Sequence, residues 1–418
     1  MIKRIKNNAF ARNSIILFIG TMAASVLNYF FHVGVGRMVS TSVYGEVESL
    51  ISLTAIISVP SASLAMVATK LGACNKAEED ISGSLQVLEY LNKKIFIYGL
   101  PIFFALALFS SYFKNFLQIE SVWPLFIVWL MMLLSFFSAV TGGLLNGWQK
   151  FESSSWAGIW GAFVKLASAI LLIKLGFDLN GAIGGFALGA LAAYAFSIYF
   201  LKNLKKENHE KKEIKRIDKH LFKVYMWPIF WGNLAITILA NVDMVLAKHN
   251  LSPDMAGQYG ALSIISKIIF FATGIVGTVL FSMTAENNYK KNSSTKTLIH
   301  ALYLMAIISI PAFIFYYLFP GFIISILFGS KYPDAGPYLW WFAVSVILFS
   351  FANLFFQYLL SLNKTKVAYI LLAISILASL AILFVGTSIF VIIAIMIVAQ
   401  LVAAASGLYF ILKRPVLL

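Results

Sequence analysis

The chain has 418 residues, of which 60% are apolar, 15% aromatic and 12% charged. A soluble domain carries roughly 45–50% apolar and about 25% charged residues. So little charge cannot cover a water-facing surface, and the composition also excludes a disordered, collagen-like or disulfide-stapled chain. The net charge is +15. In a chain this apolar, that excess is expected in the cytoplasmic loops of a membrane protein rather than against nucleic acid.

At ~20 residues per span the length accommodates twelve transmembrane helices with short loops. Apolar segments lie near 13–36, 43–69, 95–113, 122–145, 154–176, 180–201, 224–248, 255–283, 297–319, 335–361, 367–386 and 388–412. Each is continuous rather than alternating, which favours helices over a closed barrel. The first follows Met1–Arg12. It is too long for a signal-peptide core and reads as a retained span. With the N-terminus cytoplasmic, about 25 Lys and Arg fall on the inner side, against Arg37, Lys114, Lys174, Lys248 and Lys331 outside. That bias places both termini in the cytoplasm.

Span one carries Asn28 and His32 and ends in Arg37; span two opens YGEVESLISL, with Glu48 just inside it. As outer helix-end residues, Arg37 and, in span seven, Lys248 read as interfacial anchors or as the outer rim of a cavity. Pro60, Pro228 and Pro311 fall in or at the edges of spans, where kinks form. The lone Cys74 has no partner for an internal disulfide and is expected in a loop. Lys165 stands midway along span five, with no acid within a turn, and Lys174 closes that span. A mid-span lysine costs at least ~2.5–3.5 kcal/mol on insertion scales, so it faces either a cavity or a neighbouring helix. Gly181, Gly185 and Gly189 are small-residue steps for close packing of span six.

The stretch 203–222 is strongly charged and divides the chain into halves, residues 1–202 and 223–418. Span seven holds Asp243 and ends in Lys248; span eight holds Lys267 beside Ser263 and Ser266. Asp243 is either an ion-coupling carboxylate or the charge partner of Lys267 or Lys248. Tyr338, Trp340 and Trp341 read as an interfacial aromatic belt. The halves look duplicated. Tyr44-Gly45 recurs as Tyr259-Gly260 at an offset of 215, which also maps Asn28 onto Asp243; LLNGWQK at 144–150 resembles LSLNKTK at 360–366. The expected fold is all-α and polytopic, twelve helices in two six-helix bundles related by an internal repeat.

No HExxH, paired cysteine, Walker loop or GxSxG is present, and the histidines lack helix-spaced metal partners. The reading is a non-enzyme without cofactor or metal. Lys165 and Lys267 against Asp243 leave a positive interior, which suits an anionic headgroup better than an organic cation.

GRMVSTSVYGEVESL at 36–50, GLLNGWQKFESSSWAGIWG at 143–161, NVDMVLAKHNLSPDMAGQYGALSIISKI at 241–268 and FGSKYPDAGPYLWWFAVSVILF at 328–349 resemble segments of polysaccharide and O-antigen flippases. That family belongs to the multidrug/oligosaccharidyl-lipid/polysaccharide exporter superfamily. The resemblance implies a bacterial inner-membrane transporter in lipopolysaccharide or related polysaccharide biosynthesis. It would move undecaprenyl-diphosphate-linked oligosaccharides by alternating access. Membrane lipid, a polysaccharide polymerase and chain-length proteins would be its partners, and nucleic acid would not. The expected substrate-binding residues are Lys165, Lys267, Arg37, Lys248 and Lys174, with Asp243 and Glu48 as coupling or charge-partner groups. The competing reading is a cation-coupled multidrug or small-solute exporter of similar fold, which gains weight if Asp243 is essential and the lysines are not.

Overall fold

The computed structural model describes residues 9–204, 227–289, 293–362 and 364–413. Residues 205–222 of the basic connector lie outside these, as do Lys3, Arg4, Lys6, Lys290, Lys291 and Arg414. The described residues are helical, joined by short turns, and contain no strand. In chain order the helices are α1 (Ala9–Met38), α2 (Thr41–Ile57), α3 (Val59–Ala77), α4 (Ile81–Leu108), α5 (Ser110–Phe116), α6 (Trp123–Gly147), α7 (Phe151–Lys174) and α8 (Asp178–Leu204). The second half supplies α9 (Trp227–Asn250), α10 (Pro253–Tyr289), α11 (Thr295–Leu318), α12 (Pro320–Phe328), α13 (Leu339–Ser361), α14 (Val367–Val385) and α15 (Ile389–Leu412). Two 3-10 turns, Gly329–Lys331 and Pro333–Tyr338, lead into α13.

Among the described residues eleven helices are long and apolar enough to cross a bilayer, or twelve when α2 and α3 count as one broken span. The chain is a multi-pass membrane protein. Helices satisfy their backbone groups internally, which hydrocarbon demands. The break at Ser58 bends α2 from α3 by 45°, with a proline in the first turn of α3. That is Pro60, whose missing N–H is tolerated at a helix start but not within one.

Two expectations are corrected. Cys74 is not in a loop but exposed in the last turns of α3. The third segment does not begin near 95. α4 starts at Ile81, where the Asp80 carboxylate accepts the Gly83 N–H at 2.8 Å and caps the helix, and it ends at Leu108.

The chain forms two compact units, Met1–Val39 with Ile57–Asp218, and Ser40–Ile56 with Lys219–Leu418. The helix α2 thus packs with the second half, although its neighbours in sequence, α1 and α3, belong to the first. Within the first unit α1 packs on α7, α3 on α6, α6 on α8 and α7 on α8. Within the second, α9 packs on α14, α10 on α13, α13 on α15 and α14 on α15. These are the same pairings shifted by six spans, so the internal repeat is present in the packing. Polar cross-links are short: Ser345 donates to Gln400 at 2.6 Å, Asn250 to the Ile382 carbonyl at 2.6 Å, and Tyr316 to the Ile265 carbonyl at 2.8 Å. Such bonds each contribute about 1 kcal/mol between membrane helices.

Candidate functional site

In the first unit the distinguishing residue is Lys165, on α7 and only 6% exposed. The glycine ladder of α8 puts it there. A Cβ on Gly189 would come 2.5 Å from the Lys165 Cβ and 2.6 Å from the Gly161 carbonyl, and one on Gly185 would come 2.6 Å from Ala169. Only glycine permits α7 and α8 to lie this close. The Lys165 ammonium then rests 4.4 Å from the ring centroid of Phe31 on α1 and 4.4 Å from that of Phe186 on α8. The two rings meet edge to face at 5.9 Å. Aromatic faces stabilise a cation without neutralising it. Phe31 and Phe186 were not picked out in the sequence, because nothing marks two phenylalanines within apolar runs.

In the second unit, polar groups of α9 and α10 meet in the apolar interior. Asp243 is 5% exposed, and its Oδ2 accepts the Tyr259 hydroxyl at 2.8 Å. Its Oδ1 is buried with no hydrogen-bond partner among the described residues. Lys267 donates to the Asn241 Oδ1 at 3.3 Å. The Asn241 amide nitrogen donates to the Thr237 carbonyl at 3.0 Å, which turns its oxygen toward the lysine. Asp243 hydrogen-bonds to a tyrosine rather than to a lysine, while the Lys267 charge acts on it electrostatically. Tyr259 belongs to the repeated Tyr-Gly pair, yet its role as acid partner was invisible at a separation of 16 residues.

Lys248 is fully buried, and its Nζ lies 3.4 Å from the Glu46 Oε1 of α2. An interfacial anchor would be exposed, so that reading of Lys248 is replaced by a buried ion pair. Glu46 was not singled out; its neighbour Glu48 was, and Glu48 is 3% exposed. α2 crosses α10 where a Cβ on Gly45 would sit 2.7 Å from the Gly257 backbone nitrogen. Gly257 in turn abuts the Thr41 carbonyl, and Gly260 faces Glu48. Tyr44 packs its ring against Phe328 and Tyr332, and the Thr41 hydroxyl donates to the Lys331 carbonyl at 3.2 Å. Burial, with Glu48 adding to it, raises the Tyr332 phenol above its ordinary pKa. Arg37 and Lys174 are both exposed at the ends of α1 and α7. Among the described residues no group of three or more His, Cys, Asp or Glu gathers as a metal site.

A family model of polysaccharide biosynthesis proteins matches residues 10–286. The chain belongs to the polysaccharide biosynthesis protein family. The MatE family model matches residues 228–385 as well. Among solved structures, the chain resembles the inward-facing conformation of a multidrug resistance MATE family transporter of the MOP superfamily. The two are 15% identical, with 95% of this chain and 98% of that chain covered and a TM-score of 0.71. The outward-facing conformation of such a transporter is also similar, at 17% identity, 96% and 93% coverage and a TM-score of 0.64. A MATE structure in complex with MaL6 gives 16% identity, 96% and 94% coverage and a TM-score of 0.64. At these identities the likeness is one of fold. No curated protein matches the chain in sequence. This member of the polysaccharide biosynthesis family is thus built on the helical repeat of the MATE transporters.

Proposed function

We propose that this protein is a flippase that carries undecaprenyl-diphosphate-linked oligosaccharide units, of O-antigen or a related surface polysaccharide, across the bacterial inner membrane by alternating access, with both termini cytoplasmic. The observation that carries the reading is Lys165, a buried cation held between two aromatic faces. A lysine kept at that depth against its insertion cost fits a diphosphate headgroup. In this reading Lys267, Arg37, Lys174 and Lys248 are the further cationic residues that serve the anionic substrate, each within its own unit. The polyprenyl tail stays in lipid, and a polymerase and chain-length proteins act downstream. No bond is made or broken. The test is a strain lacking the gene. Loss of surface polymer with accumulation of the lipid-linked unit, both restored by the gene, is the expected result; normal polymer without any accumulated unit overturns the reading.

A second reading rests on a different observation, the hydrogen bond from Tyr259 to the buried Asp243 carboxylate. A buried carboxylate with one oxygen held by a tyrosine suits proton or sodium coupling, as a cation-coupled multidrug or small-solute exporter requires. Under it, Asp243→Asn removes the dependence of export on the ion gradient. Unchanged gradient dependence in that variant, measured in proteoliposomes, eliminates Asp243 as the coupling group.

A further inference from the structure

A cavity of about 620 Å³ opens between α4, α6 and α8 in the first unit, lined by Asn92, Lys93, Phe96, Phe137 and Tyr194, with Ile97 and Leu134 completing its walls. Its volume lies within the ~300–1,000 Å³ of ordinary ligand sites. Its surface is almost wholly apolar except at one end, where Asn92 and Lys93 stand. Lys93 is exposed and makes no ion pair among the described residues, and the Asn92 Oδ1 is buried without a hydrogen-bond partner. Its neighbour Lys94 is occupied differently, with its ammonium over the rings of Tyr90 and Tyr98 at 5.6 and 5.7 Å. From Ile95 to Leu108 α4 carries no charge. Lys93 therefore marks the level at which α4 passes from the polar interface into hydrocarbon, and the tyrosines beside it are interfacial residues. On the hydrocarbon side Gly99 faces α6, where a Cβ would come 2.8 Å from the Leu133 Cδ1. The rings of Phe96 and Phe137 lie 6.5 Å apart, and those of Phe137 and Tyr194 6.0 Å.

We propose that this groove binds one anionic phospholipid of the surrounding bilayer, with its phosphate on Lys93 and an acyl chain along Phe96, Leu134 and Phe137. The polarity of the groove runs in the same direction as that of the lipid, cation at the headgroup level and apolar walls below. A zwitterionic lipid offers Lys93 no net charge, so the site discriminates by headgroup. The site is independent of what the protein transports.

The test uses the purified full-length protein in neutral detergent, with phosphatidylglycerol and phosphatidylcholine of identical acyl chains as probes. Bound lipid is counted by native mass spectrometry and thermal stability is followed. Phosphatidylglycerol is expected to be retained and to raise the melting temperature, and phosphatidylcholine is not. Lys93→Ala weakens the phosphatidylglycerol effect about fivefold, the contribution of one lysine beside an anionic lipid. Lys94→Ala leaves it intact, and Leu134→Trp, which fills the groove, abolishes it. Equal responses to the two lipids, or an undiminished response in Lys93→Ala, overturn the proposal. So does undecaprenyl phosphate displacing phosphatidylglycerol at lower concentration, because the groove would then hold a polyprenyl tail.

Discussion

Replacing Lys165 by methionine separates a transport role from a packing role. Methionine has a similar length, keeps the apolar stem against Gly189 and Phe186, and removes the charge. Two opposed energies decide its stability. Contact of the ammonium with two rings is worth up to ~2 kcal/mol per ring in a desolvated site. Holding an ion away from water costs several kcal/mol. The two nearly cancel, so Lys165→Met is expected to melt within about 2 kcal/mol of the parent in detergent. Transport behaves differently. Losing a buried cation that meets a phosphate costs at least ~2 kcal/mol, or about 30-fold in affinity for the lipid-linked unit. The assay pairs melting temperature with surface polymer and accumulated lipid-linked unit in cells. A variant that is stable but deficient in polymer supports the cationic site. Full polymer output refutes the role of Lys165 in transport, and a collapse of melting temperature refutes the balance of energies drawn from its ring contacts.

Other perturbations follow from the same geometry. Glu46→Gln leaves Lys248 charged and buried and is expected to lose ~3–5 kcal/mol of stability, while adding Lys248→Met recovers most of it; thermal unfolding of the single and double variants checks this, and equal loss in both contradicts it. Gly189→Val forces a side chain against the backbone of α7 and displaces Lys165, at a cost of ~1–3 kcal/mol; an unchanged melting temperature would mean that the helices are not in contact there. The Tyr332 phenol has its pKa raised in the folded chain. Its contribution to stability is therefore complete below about pH 10, the unfolded value, and falls as pH rises beyond it. Tyr332→Phe should flatten the alkaline part of a stability-versus-pH curve, and an identical curve argues against a buried phenol.

The spans were legible in the sequence because each one solves its hydrogen-bonding problem alone, so an uncharged run of sufficient length is already the element. The repeat was legible through Tyr44-Gly45 and Tyr259-Gly260, small and aromatic residues that stand out from leucine and isoleucine. The bend was legible at Pro60 for the same reason. What joins the helices was not. Lys248 looked like a helix-end lysine because Glu46 is 202 residues away. Lys165 looked isolated because its companions are phenylalanines, which carry no signal of their role. The beginning of α4 was misplaced by more than ten residues because hydropathy follows the lipid, whereas the helix follows its Asp80 cap. The attachment of α2 to the second unit depends on a glycine-to-glycine crossing that no local pattern records.

The two copies differ in where they carry charge. At the offset of 215, Asp243 corresponds to Asn28, Lys248 to Val33 and Lys267 to Ser52, while Glu46 corresponds to Ala261 and Glu48 to Ser263. The later spans drift by a residue or two, and the stretch matching Lys165 reads Leu380, Ala381 and Ile382. Each of these charges therefore corresponds to a neutral residue in the other copy. Each such ion opposes insertion unless a partner or a function offsets it. The residues shared by the copies, above all the Tyr-Gly pairs, account for the fold. Those that differ carry the charge, and a substrate or coupling ion acts on charge. Exchanging a pair, Asn28→Asp together with Asp243→Asn, leaves total charge unchanged and moves only its position. If position in the copies is what matters, the exchanged chain inserts and melts like the parent yet fails to transport. An exchanged chain that transports normally would return the charges to a structural role.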